Sequence, residues 1–494
     1  MNWLRPVIPA WIALCLAAGT SGSAQEGFTP ALFDSKSESA AAIPAVPPSG
    51  TADTLADDIE SLRQRVLELE AIEAQRSAKL KADAELKKSA PDAAKSPAKA
   101  AEKKPEEGWV DLSTEKWTVK LGGHMQADFI QWAQAEDPPI PAKNYFEFRR
   151  LRLLADGTGY GVYDFRIQID IEPENGDGVA TPVTDIKDAY LSMNEVPVIN
   201  RVRFGNFFVP FSLEQVTNDT NNIFVERSIP TQGIFAADRE VGTAFYGVNE
   251  NQDFTFTFGA FIDSISESLK ERIDDNQGSR FSGRLTWLPY YDEPSNGRYL
   301  VHLGTGVLRT NDQDDSVRFR ARPQIHEGPF LIDSGAVPAT STTAANVEFA
   351  LVWANASVQS EVFVTSVDRI GNDTATLYGG YMYFSYFVTG ENRIYERYGQ
   401  HGAQFARNVP YTNFFLVPGG YGSGAVELKA RLSHLDLVEL GSGRYTDLTC
   451  GMNWYWTERV RWMFDWIHPM TGADSTPFGA TTSDVLALRF DFNF

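Results

Sequence analysis

The sequence predicts an all-β protein: a transmembrane antiparallel β-barrel of about 16 strands, preceded by a short helical coiled coil. Three observations carry this. Residues 109–494 alternate apolar and polar side chains with a period of two and show no sustained helical period. The chain finishes on such a strand: in "SDVLALRFDFNF", Leu486, Leu488, Phe490, Phe492 and Phe494 fall on one face, and Ala487, Arg489, Asp491 and Asn493 on the other. The N-terminus, "MNWLRPVIPAWIALCLAAGTSGSAQE", has an early arginine, an apolar run and small residues up to Ala24, the pattern of a cleaved secretory signal.

Taken in order, residues 1–24 are the expected signal peptide and 25–50 a low-complexity linker. Over 51–86, Leu55, Ile59, Leu62, Val66 and Leu69 recur at alternating steps of four and three, a heptad seam that ends where Glu73 and Arg76 take the next core positions. So short a seam needs a tethered oligomer to hold it; a single solvated helix is the alternative. Residues 87–108, rich in Lys, Ala and Pro, have almost nothing to bury and read as a periplasmic spacer. Outside the expected signal peptide Cys450 is the lone cysteine, which excludes an internal disulfide framework.

From 109 onward the strands declare themselves by a face of each kind. In "FRIQIDIEP", Phe165, Ile167, Ile169 and Ile171 oppose Arg166, Gln168, Asp170 and Glu172; in "AVELKARLS", Val426, Leu428, Ala430 and Leu432 oppose Glu427, Lys429, Arg431 and Ser433. "DFTFTFGAFI" sets Phe254, Phe256 and Phe258 against threonines. Turn signals such as "DGTGYG", "NENQD" and "YYDEPSNG" separate them. A sandwich would bury every apolar face in one thin core, whereas roughly 22 to 25 residues per strand with its connection fits an even-numbered barrel with lipid outside and water inside. "CGMNWYWTERVRWMFDWIHP" predicts two strands around a tight turn at Thr457 and Glu458, with Trp454, Trp456 and Trp462 as an interfacial girdle. The Leu486 to Phe494 face then meets lipid, and the terminal Phe494 looks like the signal read by the barrel-assembly machinery.

The net charge of -21 argues against nucleic acid. His124, His302, His326, His401, His434 and His468 show no metal-like spacing and no link to a nucleophile, so no enzyme activity, cofactor or metal is expected.

Six blocks, "FRRLRL" (148–153), "RVRFGNFFVPFSLEQ" (201–215), "VERSIP" (225–230), "VRFRARP" (317–323), "YFVTGENRIY" (386–395) and "GMNWYW" (451–456), give the chain its resemblance to a known family. Over essentially all of 109–494 it resembles the phosphate-selective porins of Gram-negative outer membranes. The resemblance implies a homotrimer of 16-stranded barrels embedded in outer-membrane lipid, with an N-terminal periplasmic coiled coil in some relatives, that passes small anions such as phosphate or polyphosphate. A general diffusion porin of little selectivity, or a cell-wall tether acting through the N-terminal arm, are the alternatives.

Arg318, Arg320 and Arg322 have the spacing that puts three guanidinium groups on one face of an extended segment, about 7 Å apart. The motif resembles the family's arginine ladder for anions, and Arg suits it by staying charged and offering paired donors to phosphate oxygens. Asp312, Asp314 and Asp315 just upstream are candidates to neutralise it. Arg149 and Arg150 are adjacent and cannot both face the lumen of a regular strand. Either a bulge or loop edge turns one aside, or one snorkels or lies in the subunit interface. The resemblance places them near the constriction. The segment 209–237 is too long for a turn and reads as an inward-folded loop, with Arg227 its candidate lumen charge unless Glu226 or Asp219 pairs with it. From 109 onward about 25 Arg and about 6 Lys face about 49 acids, so a lysine-rich anion funnel is poorly supported. Acids on outer loops can bind divalent cations and still leave the lumen basic.

Overall fold

The computed structural model describes residues 110–111, 116–135, 140–173, 182–262, 278–312, 314–417 and 420–494. The signal, linker, coiled coil and spacer expected over 1–108 lie outside these residues. Sixteen long strands form the wall: β1 (Trp117–Ala135), β2 (Tyr145–Gly159), β3 (Tyr163–Pro173), β4 (Pro182–Asn194), β5 (Arg201–Phe208), β6 (Arg239–Val248), β7 (Phe254–Phe261), β8 (Ser279–Tyr291), β9 (Tyr299–Asn311), β10 (Val337–Trp353), β11 (Ala356–Arg369), β12 (Ala375–Phe387), β13 (Ala425–Asp436), β14 (Arg444–Tyr455), β15 (Val460–Thr471) and β16 (Ser483–Asn493). Each pairs antiparallel with its sequence neighbours. β1 also pairs with β16, from His124 opposite Asn493 to Ala135 opposite Ser483, and so closes the barrel. Phe494 completes the seam by exchanging both backbone hydrogen bonds with Gly123, at 3.0 and 3.1 Å. Closure leaves no unpaired sheet edge, the condition for crossing a bilayer with strands.

The amphipathic faces are inverted relative to a soluble protein. On β13 Glu427, Lys429, Arg431 and Ser433 are buried, as are Ala425 and Leu435 at its ends, while Leu428 and Leu432 are exposed. On β16 Arg489 and Asp491 are buried and Leu488 and Phe494 exposed. Phe129, Phe148, Leu153, Ile167, Phe204, Trp287 and Phe384 continue the outer apolar surface around the wall. Trp454, Trp456 and Trp462 sit together at the β14–β15 turn, Trp456 with its ring centroid 5.4 Å from Trp454 and 6.1 Å from Trp462.

Short turns join the strands at one end, for example 160–162, 354–355 and 456–459; most connections at the other end are longer. Among the described residues, three long connections each carry several buried apolar residues into the interior: 209–238 between β5 and β6, 312–336 between β9 and β10, and 388–424, which enters from the short-turn end. Phe211, Ile223, Phe224, Ile229 and Phe235 of the first pack with Phe319, Leu331 and Ile332 of the second and with Phe363, Tyr381 and Tyr383 of the wall. Tyr395, Ala403 and Phe405 of the third pack with Leu213, Leu288 and Val352. The sequence pattern anticipates the first of these inward connections but not the third, because an apolar residue in a loop carries no mark of which side of the wall it lies on.

The first connection begins with a single helical turn, α1 (Leu213–Val216). Its free amides are satisfied by the wall: Glu361 on β11 accepts hydrogen bonds from the backbone of Leu213 at 3.2 Å and Glu214 at 2.8 Å. A carboxylate at a helix start meets both the open N–H groups and their partial positive charge. Further on, the connection lies directly on the backbone of β12, since a Cβ at Gly379 would come within 2.8 Å of Phe235 and 2.9 Å of Pro230. Gly379→Leu should therefore lift residues 230–235 off the wall while the barrel still assembles. The expected readout is an altered unitary conductance in a planar bilayer with an unchanged β circular-dichroism spectrum.

Candidate functional site

The polar interior is organised by how the 209–238 connection is held. Four cationic side chains of the closing strands reach four of its carbonyls: Arg461 donates to Asn222 O at 2.7 Å, Lys429 to Ile223 O, Arg489 to Val225 O, and Arg431 to Glu226 O at 3.0 Å. Asp465 accepts the Val225 amide at 2.8 Å. Each cation is also paired within the wall or the connection: Arg461 with Asp491 at 3.0 Å, Lys429 with Asp465 at 2.6 Å, Arg489 bidentately with Asp128 at 2.6 Å, and Arg431 with Glu214 at 3.3 Å.

The opposite flank of the connection faces β2. Here the strand register slips: Gln126 opposes Arg150 but Ala127 opposes Phe148, so Arg149 is the extra residue of a bulge. The bulge resolves the steric problem of adjacent arginines, because both turn inward. Arg149 Nε lies 2.8 Å from Glu226, and Arg150 lies 3.7 Å from Glu226 and 3.1 Å from Asp219. Arg152, the next inward position, pairs with Asp219 at 2.7 Å and with Asp170 on β3. Arg227 pairs with Asp219 at 2.9 Å and also donates to the carbonyls of Glu214, Gln215 and Thr217, so it braces the connection's own fold.

These groups line a cavity of about 260 Å³ between the connection and the wall. Six cations border it, Arg149, Arg150, Arg152, Lys187, Arg227 and Arg239, against three carboxylates, Asp219, Glu226 and Asp238. Burial alone would raise the Asp219 and Glu226 carboxyls, but the surrounding guanidinium groups hold both well below the usual carboxylate range. Their ion pairs therefore contribute fully at neutral and mildly acidic pH and fade only as pH falls through those lowered values.

Of the three arginines in "VRFRARP", Arg318 pairs with Asp333 at 2.8 Å and is half exposed, its side chain at 50%. Arg320 and Arg322 each place their guanidinium 4.2 Å from the ring centre of Phe330. Phe319 and Ala321 are buried, so the alternation holds although Arg318 and Phe319 interrupt the strand between Ser316–Val317 and Arg320–Ala321. Asp333, rather than Asp312, Asp314 or Asp315, is the carboxylate on Arg318. Arg322 donates to the carbonyl of His326 at 2.7 Å, and the His326 side chain borders the cavity. Arg149 is 11% exposed, Arg150 6% and Arg152 3%, so exposure falls steadily inward.

Arg149, Arg150 and Arg227, singled out in the sequence, all line the cavity, and of the two acids considered for Arg227 it is Asp219 that pairs with it. The sequence pattern misses Lys187 and Arg239 in the cavity and the four wall cations beneath the connection. Their one signal is a charge at an inward position of an alternating strand, which many residues share.

A closed 16-stranded antiparallel barrel with an apolar exterior, a charged interior and an inward-folded connection is a porin. The chain belongs to the family described as phosphate-selective porin O and P, whose match covers residues 119–494. Porin O of Pseudomonas aeruginosa is 22% identical over 416 residues, 78% of this chain and 91% of that one. An uncharacterised protein of Caulobacter vibrioides is 29% identical over 308 residues, 58% of each chain. The chain thus spans 58% of the length of that relative. Among solved structures, the outer-membrane channel DcaP of Acinetobacter baumannii aligns with a TM-score of 0.48 and 10% identity over 77% of this chain and 99% of its own.

Asp219 is the shared counter-ion of Arg150, Arg152 and Arg227, so Asp219→Asn should leave two buried cations and one partly buried one undercompensated and cost about 3–5 kcal/mol. Asp238, whose side chain is 60% exposed beside Arg239, should cost about 0–1 kcal/mol when replaced by Asn. Denaturant titration of the two variants in the same detergent measures the difference.

Proposed function

We propose that the protein is a passive outer-membrane channel for small anions, with phosphate or polyphosphate as the favoured cargo. The observation that carries this reading is the cavity beside β2, where six cations border three carboxylates at the point where the 209–238 connection approaches the wall. Guanidinium groups offer phosphate oxygens paired, charge-assisted donors, and several similar sites in series let an ion advance without falling into one deep trap. In this reading Arg318, Arg320 and Arg322 receive anions at the mouth and hand them to Arg149, Arg150 and Arg152.

The apolar outer surface sits in lipid, the short-turn end and N-terminal arm face the periplasm, and the channel acts as a homotrimer delivered by the barrel-assembly machinery through Phe494. Residues 1–24 are removed on export, and the 51–86 seam supports the trimer. A weakly selective pore is the second reading, favoured by the excess of about 49 acids over about 31 basic residues from 109 onward. The reversal potential of the unmutated channel in a potassium chloride gradient separates them: anion preference supports the first reading, and cation preference sinks it.

Loss of charge-assisted hydrogen bonds worth about 1.5–3 kcal/mol should weaken phosphate block of chloride current about tenfold or more in Arg149→Ala/Arg150→Ala. The same pair of changes should move the reversal potential towards cation preference. Arg318→Ala/Arg320→Ala/Arg322→Ala, at the exposed end of the series, should produce a smaller shift that vanishes at high salt. Single-channel recordings over a series of phosphate and salt concentrations check both.

A further inference from the structure

A second kind of site lies where the 312–336 connection meets β2. Glu147, one inward position before the bulge, brings its Oε2 to 2.9 Å from His326 Nδ1. Glu327, next in the chain, brings Oε1 to 3.9 Å from the same nitrogen. One ligand atom from each of the three lies within 4.8 Å of the others. Ligands about 2.0–2.2 Å from a tetrahedral zinc ion stand about 3.3 Å apart, so the two separations from His326 need to change by roughly half an ångström, and that between the carboxylates by about 1.5 Å at most, to enclose one.

Two further observations point to a ligand. Glu147 is 8% exposed, yet among the described residues its Oε1 has no hydrogen-bond partner, and Glu327 Oε1 is likewise buried without one. A buried carboxylate oxygen without a partner is costly, and a coordinated cation removes that cost. The loop is also held in place: the Tyr145 hydroxyl accepts the Glu327 amide at 2.9 Å, and Arg322 donates to the His326 carbonyl at 2.7 Å. Outer contacts of this kind fix the orientation of metal ligands.

We propose that Glu147, His326 and Glu327 form a site for a divalent transition metal of the zinc class. The imidazole selects against magnesium and calcium, which prefer all-oxygen shells, and three protein ligands leave a fourth position open. Binding ties the 312–336 connection to the wall and neutralises two carboxylates between Arg322 and Arg149. The bound ion therefore raises anion preference, a consequence that rests on the anion-channel reading, whereas metal uptake itself does not.

The test uses the untagged full-length protein in detergent, stripped with a chelator and titrated calorimetrically with zinc chloride. One zinc ion per chain is expected, undisturbed by excess magnesium. Glu147→Gln and His326→Asn should each weaken uptake by more than the roughly tenfold cost of losing an outer-sphere partner. Glu327→Gln serves in place of either variant that fails to insert into bilayers. No zinc uptake by the unmutated protein, or uptake in these variants equal to it, overturns the site. Zinc uptake that leaves the reversal potential unmoved overturns its coupling to the anion path.

Discussion

The interior depends on one constraint: the 209–238 connection carries open backbone carbonyls into places buried by protein, and they must be satisfied there. Arg461, Lys429, Arg489 and Arg431 satisfy Asn222, Ile223, Val225 and Glu226 in turn. Isolated charges would be too costly to bury, so each of these cations carries its own carboxylate. The result is a wall whose charge is spent on holding a loop. These arginines and this lysine resemble pore charges in sequence, but each gives at least one donor to a protein carbonyl and pairs with a carboxylate.

That division explains why the overall acid excess says little about the pore. Asp128, Asp465 and Asp491 are wall acids matched to the loop-holding cations. A separate set of charges lies at β2, where Asp219 serves three arginines and Glu226 is shared among Arg149, Arg150 and Arg489. Around the cavity there, six cations stand against three carboxylates. A census of charges by sequence adds the two populations together and loses the distinction.

Much of the fold was legible because a barrel wall has the simplest code available, period two over many strands, and both Phe494 and the Trp454 to Trp462 girdle mark its boundaries. The adjacency of Arg149 and Arg150 even announced a departure from regularity, since no unbroken strand turns neighbouring side chains the same way. What was not legible is anything made by loops crossing the interior. His326 and Glu147 are separated by 179 positions and meet only because the 312–336 connection folds inward. Inspection of histidine spacing along the chain cannot find such a pair. The third inward connection, 388–424, was hidden for the same reason: Arg393 and Tyr395 look like ordinary turn residues until Phe405 is found buried beside both.

The β2 bulge ties these points together. Were the alternation unbroken, Glu147 and Arg149 would share a face and Arg150 would point outward beside the exposed Phe148. Inserting one residue restores Arg150 and Arg152 to the lumen while keeping Glu147 and Arg149 there, so four charged side chains crowd into a span that regular alternation would give to three. A bulge also locally increases twist and breaks the ladder. That cost is offset here because Gln126, whose partner in the register is Arg150, accepts its guanidinium at 2.7 Å and donates to Asp491 at 2.9 Å. Asp491 is the carboxylate of Arg461, which holds the inward connection from the other side. The irregular strand and the loop-holding wall are therefore two ends of one hydrogen-bonded network.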